Sequence, residues 1–251
     1  HIAVTLTNRG AAVRSYRLAG YRGDDGEAVD LVQTVPLDER ALPLQLITAS
    51  GPDSALYAVE RERDAVTFRW ADGLGAAVTK RVALAGESYG LEVAISTAGE
   101  RRSAAVSIGT GLRDLGAVER DNRLALWGEG IVNADGEIDR YKRAKLKEPR
   151  VLTPGQLAFA GLEGAYFLGL LLPETPVAEL RFEPLEYTEG EAKPTRVLRV
   201  SALPRAGELR GQYLGAPKEY DLVRRLGRGL EETLDFGFFG PISVLFLKAL
   251  R

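Results

Sequence analysis

Apolar and polar residues alternate one by one along most of this chain. Val4 and Leu6 alternate with Thr5 and Thr7, and Val66, Phe68 and Trp70 with Thr67 and Arg69. Val78, Val82 and Leu84 line up against Thr79 and Arg81, and Leu91, Val93 and Ile95 against Glu92 and Ser96. Successive side chains of a strand point to opposite faces, so this period predicts half-buried antiparallel strands. Turn-forming residues separate them: Asp24-Asp25-Gly26, Asp72-Gly73, Ala85-Gly86, Ala98-Gly99 and Asp135-Gly136. Turn signals spaced about ten residues apart predict a sandwich or a barrel. Residues 165–172, AYFLGLLL, break the alternation because they are apolar on both faces, and they end at Pro173. That pattern predicts a central strand covered on both sides, and the segment is too short to cross a membrane as a helix.

The pattern changes near Gly215. Beyond it, Pro217 suits the first position of a helix, and Glu219 and Asp221 suit its first turn. Tyr220, Val223 and Leu226 recur at helical spacing, and Gly227 and Gly229 are expected to end the helix, which should pack on the sandwich. The chain therefore divides into residues 1–215, a β-sandwich domain, and residues 216–251, C-terminal helices leading to a membrane interface. A second helix is predicted from Pro241 to the end. Ile242, Leu245, Phe246, Ala249 and Leu250 fall on one broad arc, and Lys248 and Arg251 on the other side, where Val244 and Leu247 intrude. Its length of about 16 Å is far short of the roughly 30 Å hydrocarbon core. So short and apolar a helix either docks into a core or lies in the membrane interface with its basic residues towards headgroups. Phe236, Phe238 and Phe239 precede it and would add interfacial contact, which makes Phe236, Phe238, Phe239, Ile242, Leu245, Phe246, Ala249 and Leu250 the candidate membrane-interface residues.

Composition acts by exclusion. A chain of 251 residues with 45% hydrophobic and 27% charged residues can build one sizeable all-β core. The net charge of -2 gives no electrostatic footprint for nucleic acid. Cysteine is absent, which removes disulfides, thiol nucleophiles and thiolate metal sites. The only histidine is His1, so no Ser-His-Asp triad or two-histidine metal site can be assembled. Glu129, Asp135, Glu137 and Asp139 cluster in sequence, but acidic residues in Gly-punctuated segments read as solvated turns. Gly73-x-Gly75 and Gly227-x-Gly229 complete no phosphate loop. No enzyme, cofactor or metal site is expected. Trp70, sharing a face with Val66 and Phe68, reads as core, whereas Trp127 before Gly128-Glu129-Gly130 could instead be exposed. His1 opens directly into a strand-like pattern with no signal peptide, as in an excised fragment.

The tail KEYDLVRRLGRGLEETLDFGFFGPISVLFLKALR resembles the segment that enters the second transmembrane helix of bacterial YidC membrane insertases. LTNRGAAVRSYRL (residues 6–18) is similar to that family's opening strand pair around an Arg-Gly, and YRGDDGEAVDLV (residues 21–32) to the loop that follows. EIDRYKRAKL (residues 137–146) and GAYFLGLLLP (residues 164–173) resemble its mid-domain strands. The family's middle loops vary in length, so residues 36–64 are not anchored by the resemblance. The resemblance implies the large periplasmic domain between the first two transmembrane helices, on the periplasmic side of the inner membrane. It implies a galactose-mutarotase-like β-supersandwich closed by short C-terminal helices, with no catalytic residue to carry over. It also implies the inner-membrane lipid surface, the Sec translocon with its accessory subunits, and nascent membrane proteins as partners.

A secreted carbohydrate-binding or mutarotase-like protein would explain the all-β body equally well. Mutarotase chemistry usually needs histidines, which this body lacks, and a binding-only module would need exposed aromatics such as Trp70 or Trp127. A third reading, a periplasmic chaperone gripping unfolded segments, overlaps with the insertase role, but no sequence feature marks a peptide groove.

Overall fold

A computed structural model describes residues 1–23, 26–32, 40–86, 89–112, 127–188 and 194–234. Among these residues, eighteen strands form three sheets in which every pairing is antiparallel. The largest sheet has nine strands. In spatial order they are β12 (Glu137–Tyr141), β11 (Trp127–Ala134), β14 (Leu157–Gly164), β15 (Phe167–Pro173), β18 (Glu208–Pro217), β9 (Gly90–Ala98), β8 (Ala77–Leu84), β7 (Ala65–Ala71) and β6 (Ala58–Arg61). Six strands form the second: β13 (Arg150–Leu152), β16 (Val177–Tyr187), β17 (Thr195–Pro204), β10 (Ala105–Thr110), β4 (Leu46–Thr48) and β5 (Gly51–Pro52). The third contains β1 (Ile2–Thr7), β2 (Ala12–Arg22) and β3 (Ala28–Asp30). This is the all-β sandwich that the alternation predicts.

The main core lies between the nine-stranded sheet and the two smaller ones. Val93, Ile95, Leu171, Leu209 and Tyr213 meet Val106, Ile108, Leu180, Phe182, Leu198 and Val200 there. Close approach needs small residues at two points. A Cβ on Gly130 would lie 2.6 Å from the Phe182 ring, and one on Gly215 would lie 2.5 Å from the Tyr16 ring. Tyr16 thus seats β2 flat on β18, and its hydroxyl donates to the Tyr89 carbonyl.

Most predicted strands fall where the alternation puts them. Leu91, Val93 and Ile95 are buried while Glu92 and Ser96 are exposed. Asp135 and Gly136 form the β11–β12 turn with φ of 55° and 85°, as a two-residue hairpin of this kind requires. β15 is buried at every residue, although Ala165 and Tyr166 belong to the turn before it. Three expectations need correction. Leu84 is 48% exposed because it ends β8 at the turn, beyond the reach of the opposing layer. Thr67 is buried although it faces away from Phe68. Pro217 closes β18 rather than opening a helix, since Phe167 pairs with it across the ladder.

Lys80 departs from the pattern most. It shares the inner face of β8 with Val78 and Val82 and is 0% exposed. Its Nζ donates to the carbonyls of Gly10 (2.9 Å), Ala11 (3.0 Å) and Leu44 (2.6 Å), and it lies 5.6 Å from the centre of the Tyr57 ring. Beside it, the buried Asp53 accepts from the Tyr57 hydroxyl (2.6 Å) and lies 3.4 Å from the Arg101 guanidinium. Arg101 stacks at 4.6 Å over Trp70, which is half-buried against the core as expected.

Burial pulls the Lys80 ammonium down from 10.5 to about 7, with Asp53 opposing the shift and Arg101 adding to it. Unfolding therefore takes up a proton between these two values, so the stability contributed by Lys80 rises with pH across that window. The slope is at most about 1.4 kcal/mol per pH unit. In urea unfolding, the stability difference between the wild type and Lys80→Met should widen from about pH 7.5 to about pH 9.5. A constant difference would show that Lys80 is not perturbed.

Candidate functional site

The outer face of the nine-stranded sheet has two unlike halves. On β11, β14, β15 and β18 it presents Ile131, Phe159, Leu168, Leu170, Leu172, Leu214 and Ala216, all buried. What covers them is the C-terminal segment. Helix α1 (Tyr220–Leu226) contributes Leu222 and Val223, and a 3-10 turn (Leu230–Thr233) contributes Leu230. Tyr220, Val223 and Leu226 follow the predicted spacing, with Val223 fully buried and the other two half-buried. The helix stops at Gly227 (φ 66°), where glycine tolerates the left-handed backbone at no steric cost.

Polar contacts pin the same segment in register. Glu163, 1% exposed on β14, accepts from Lys218 Nζ (2.9 Å) just before α1 and from Arg140 Nε (2.7 Å) on β12. Arg140 also donates to the Glu232 carbonyl in the 3-10 turn (3.0 Å). Tyr21 donates its hydroxyl to Glu219 at the start of α1, and Arg228 reaches the Pro173 carbonyl (3.4 Å). Residues 220–234 thus belong to the sandwich. The sequence passes from Leu234 directly to the apolar tail. The candidate interface residues Phe236, Phe238, Phe239, Ile242, Leu245, Phe246, Ala249 and Leu250 lie outside the described residues.

The rest of the molecule offers little chemistry. Glu129, Asp135, Glu137 and Asp139 do not converge. Glu129 is not in a solvated turn as expected: it lies buried on β11 and accepts from the Arg143 backbone N–H, and burial raises its carboxyl above the ordinary value. Asp135 accepts from the Gln156 N–H (2.7 Å) in a turn, and Glu137 and Asp139 are exposed on β12. Among the described residues no group of three or more acidic or histidine side chains could hold a metal ion, and no helix is long and apolar enough to cross a membrane. A cavity between the sheets, near Leu112, Leu162 and Tyr213, holds about 10 Å³, room for a water at most. A trough of about 330 Å³ on the outer polar half is lined by Arg81, Glu92, Ala94, Glu174, Arg210 and Gln212. It presents no aromatic ring on which a sugar could stack. The Trp127 side chain lies outside the described residues.

Sequence reasoning missed Glu163 and Lys218. The only signal was the odd charge at the end of LAFAGLEG, where an otherwise uncharged buried strand carries a carboxylate needing a partner. Removing it should be costly. Glu163→Ala leaves two cationic side chains without their carboxylate, and denaturant unfolding should show a loss of about 3 kcal/mol. Glu179→Ala, which breaks the exposed pair with Arg181, should cost less than about 1 kcal/mol. Equal losses would mean that the Glu163 network is not a buried anchor.

Comparison with known proteins agrees with this architecture. Residues 1–249 match the family described as the YidC periplasmic domain. The chain is 26% identical to a protein named membrane protein insertase YidC from Anaeromyxobacter dehalogenans, covering 98% of this chain and 48% of that protein. Proteins of the same name from Pelobacter propionicus and Geobacter sulfurreducens are 26% and 23% identical, over 97% and 99% of this chain. The chain thus spans about half the length of the curated relatives it matches. With a family match over nearly its whole length and an all-β sandwich closed by a short C-terminal helix, the chain belongs to the YidC periplasmic domain family.

Proposed function

We propose that this chain is the periplasmic part of a membrane protein insertase, working at the inner membrane as a non-enzymatic scaffold and partner-contact module. Its family and the printed name of its relatives support the insertase role. The observation that carries the scaffold role is the seating of α1 and the 3-10 turn on the sheet, pinned by Glu163. A tail joined to so rigid a body can hold the whole sandwich at a fixed attitude to whatever surface the tail meets.

On this reading the division falls at residue 216 by role. Residues 1–215 form the body, and residues 216–251 first cap it and then lead to the lipid surface. Phe236, Phe238, Phe239, Ile242, Leu245, Phe246, Ala249 and Leu250 are the lipid-facing set. Nascent membrane proteins are the clients, and the Sec translocon with its accessory subunits is the partner for the body. The sugar-binding alternative is not favoured, because family and relatives point elsewhere.

Replacing Leu245 and Phe246 together with Asp removes two large apolar side chains, each worth roughly 1.5–3 kcal/mol when buried. The wild-type chain should co-sediment with vesicles of bacterial lipid composition. The double variant should stay in the supernatant with its β-rich circular dichroism unchanged. Equal co-sedimentation of both would overturn the interfacial assignment of the tail.

A further inference from the structure

Lys80 joins all three sheets at one point. It stands on β8 of the nine-stranded sheet, while Gly10 and Ala11 lie between β1 and β2 of the three-stranded sheet, and Leu44 lies just before β4 of the six-stranded sheet. Each residue that offers it an oxygen has left-handed backbone: Gly10 at φ 70°, Ala11 at 47° and Leu44 at 65°. Two of these are not glycine, so the conformation must be held by its surroundings. Below about pH 7, where Lys80 is protonated, its ammonium carries three protons and no acceptor, and three carbonyl oxygens take one each. The count closes with no water and no side-chain acceptor. Asp53 supplies negative charge nearby without displacing any of the three, because it is engaged by Tyr57 and Arg101.

Converging carbonyl oxygens are how proteins bind bare cations. We propose that the Gly10, Ala11 and Leu44 carbonyls form a cation site and that Lys80 Nζ is its tethered occupant, the latch that closes the seam between the three sheets. The four-carbon stem of Lys80 acts as a spacer between β8 and the site. With the stem cut back, the site is open to a free primary ammonium ion. Tetramethylammonium, of the same charge but with methyl groups where the site needs N–H donors, does not fill it.

The test uses Lys80→Ala in the full 251-residue chain. The atoms this substitution deletes are those of n-propylammonium. At about pH 6, where a primary amine is protonated, n-propylammonium chloride should raise the variant's thermal midpoint towards that of the wild type in a saturable way. Tetramethylammonium chloride at the same ionic strength should not, and the wild type should respond to neither. An equal response to both salts, or to neither, would overturn the proposal. Where Lys80→Ala does not fold, Lys80→Met keeps the apolar stem and loses the donors. Its backbone amides at Gly10, Val13 and Tyr57, which bond Ala55, Pro43 and Asn8 across the seam, should lose hydrogen-exchange protection relative to those of β9 and β18. Unchanged protection at those three amides would equally overturn the latch.

Discussion

A strand that is apolar on both faces must be covered on both faces, and the rest of this structure follows from meeting that demand for β15. Phe167 and Leu171 point into the sandwich core, while Leu168, Leu170 and Leu172 point the other way. Burial of each large apolar side chain is worth roughly 1.5–3 kcal/mol, so an uncovered outer row would forfeit much of a marginal net stability. The two smaller sheets cover the inner row, with Tyr21 of β2 set edge-on against Phe167. Among the described residues no second sheet covers the outer row, and α1 with the turn after it fills that place. Helix α1 and the turn after it are therefore part of the core, as the helical spacing of Tyr220, Val223 and Leu226 predicts.

Apolar contact alone would not say where each layer must sit, because it is non-directional. One buried cation and one buried carboxylate supply direction. Lys80 demands three carbonyls from two other sheets, and Glu163 demands Lys218 and Arg140. Breaking either set leaves polar groups unpaired in a low-dielectric interior, which costs more than the set contributes when intact. This asymmetry lets a few hydrogen bonds set the register of whole layers. It also explains why Ala11 and Leu44 persist in left-handed backbone.

The alternation showed the strands plainly where one face meets the core and the other meets water, as in β9 with Leu91, Val93 and Ile95. It also showed β15, because an apolar run that short has few other places to go. It could not show that Leu84 lies beyond the opposing layer or that Thr67 is covered, since period two reports side and not depth. Lys80 was equally visible on the Val78–Val82 face, yet a lysine there has no meaning until residues distant in sequence bring their carbonyls to it. Those residues come partly from the 36–64 stretch, where Leu44, Asp53 and Tyr57 line the Lys80 site and no sequence pattern marks them. Local preference makes Pro217 a helix opener, and a long-range pairing with Phe167 overrides it. Within the site, the helix at Tyr220 was legible from its period, whereas the Glu163 network that holds it was not, since pairing with Lys218 is decided in space.

On the proposed role beside a membrane, the weight falls on whether the C-terminal cap moves with the sandwich or apart from it. If the cap is core, any force or contact at the tail is transmitted to the sheets, and the body keeps a fixed orientation. Native-state amide exchange measures this directly. The amides of Val223 and Leu230 should open only with the strands they cover, with the same free energy and denaturant dependence as Leu170 and Leu214. Exchange at Val223 and Leu230 through separate, low-energy local opening, while Leu170 and Leu214 stay protected, would contradict a cap that is part of the core.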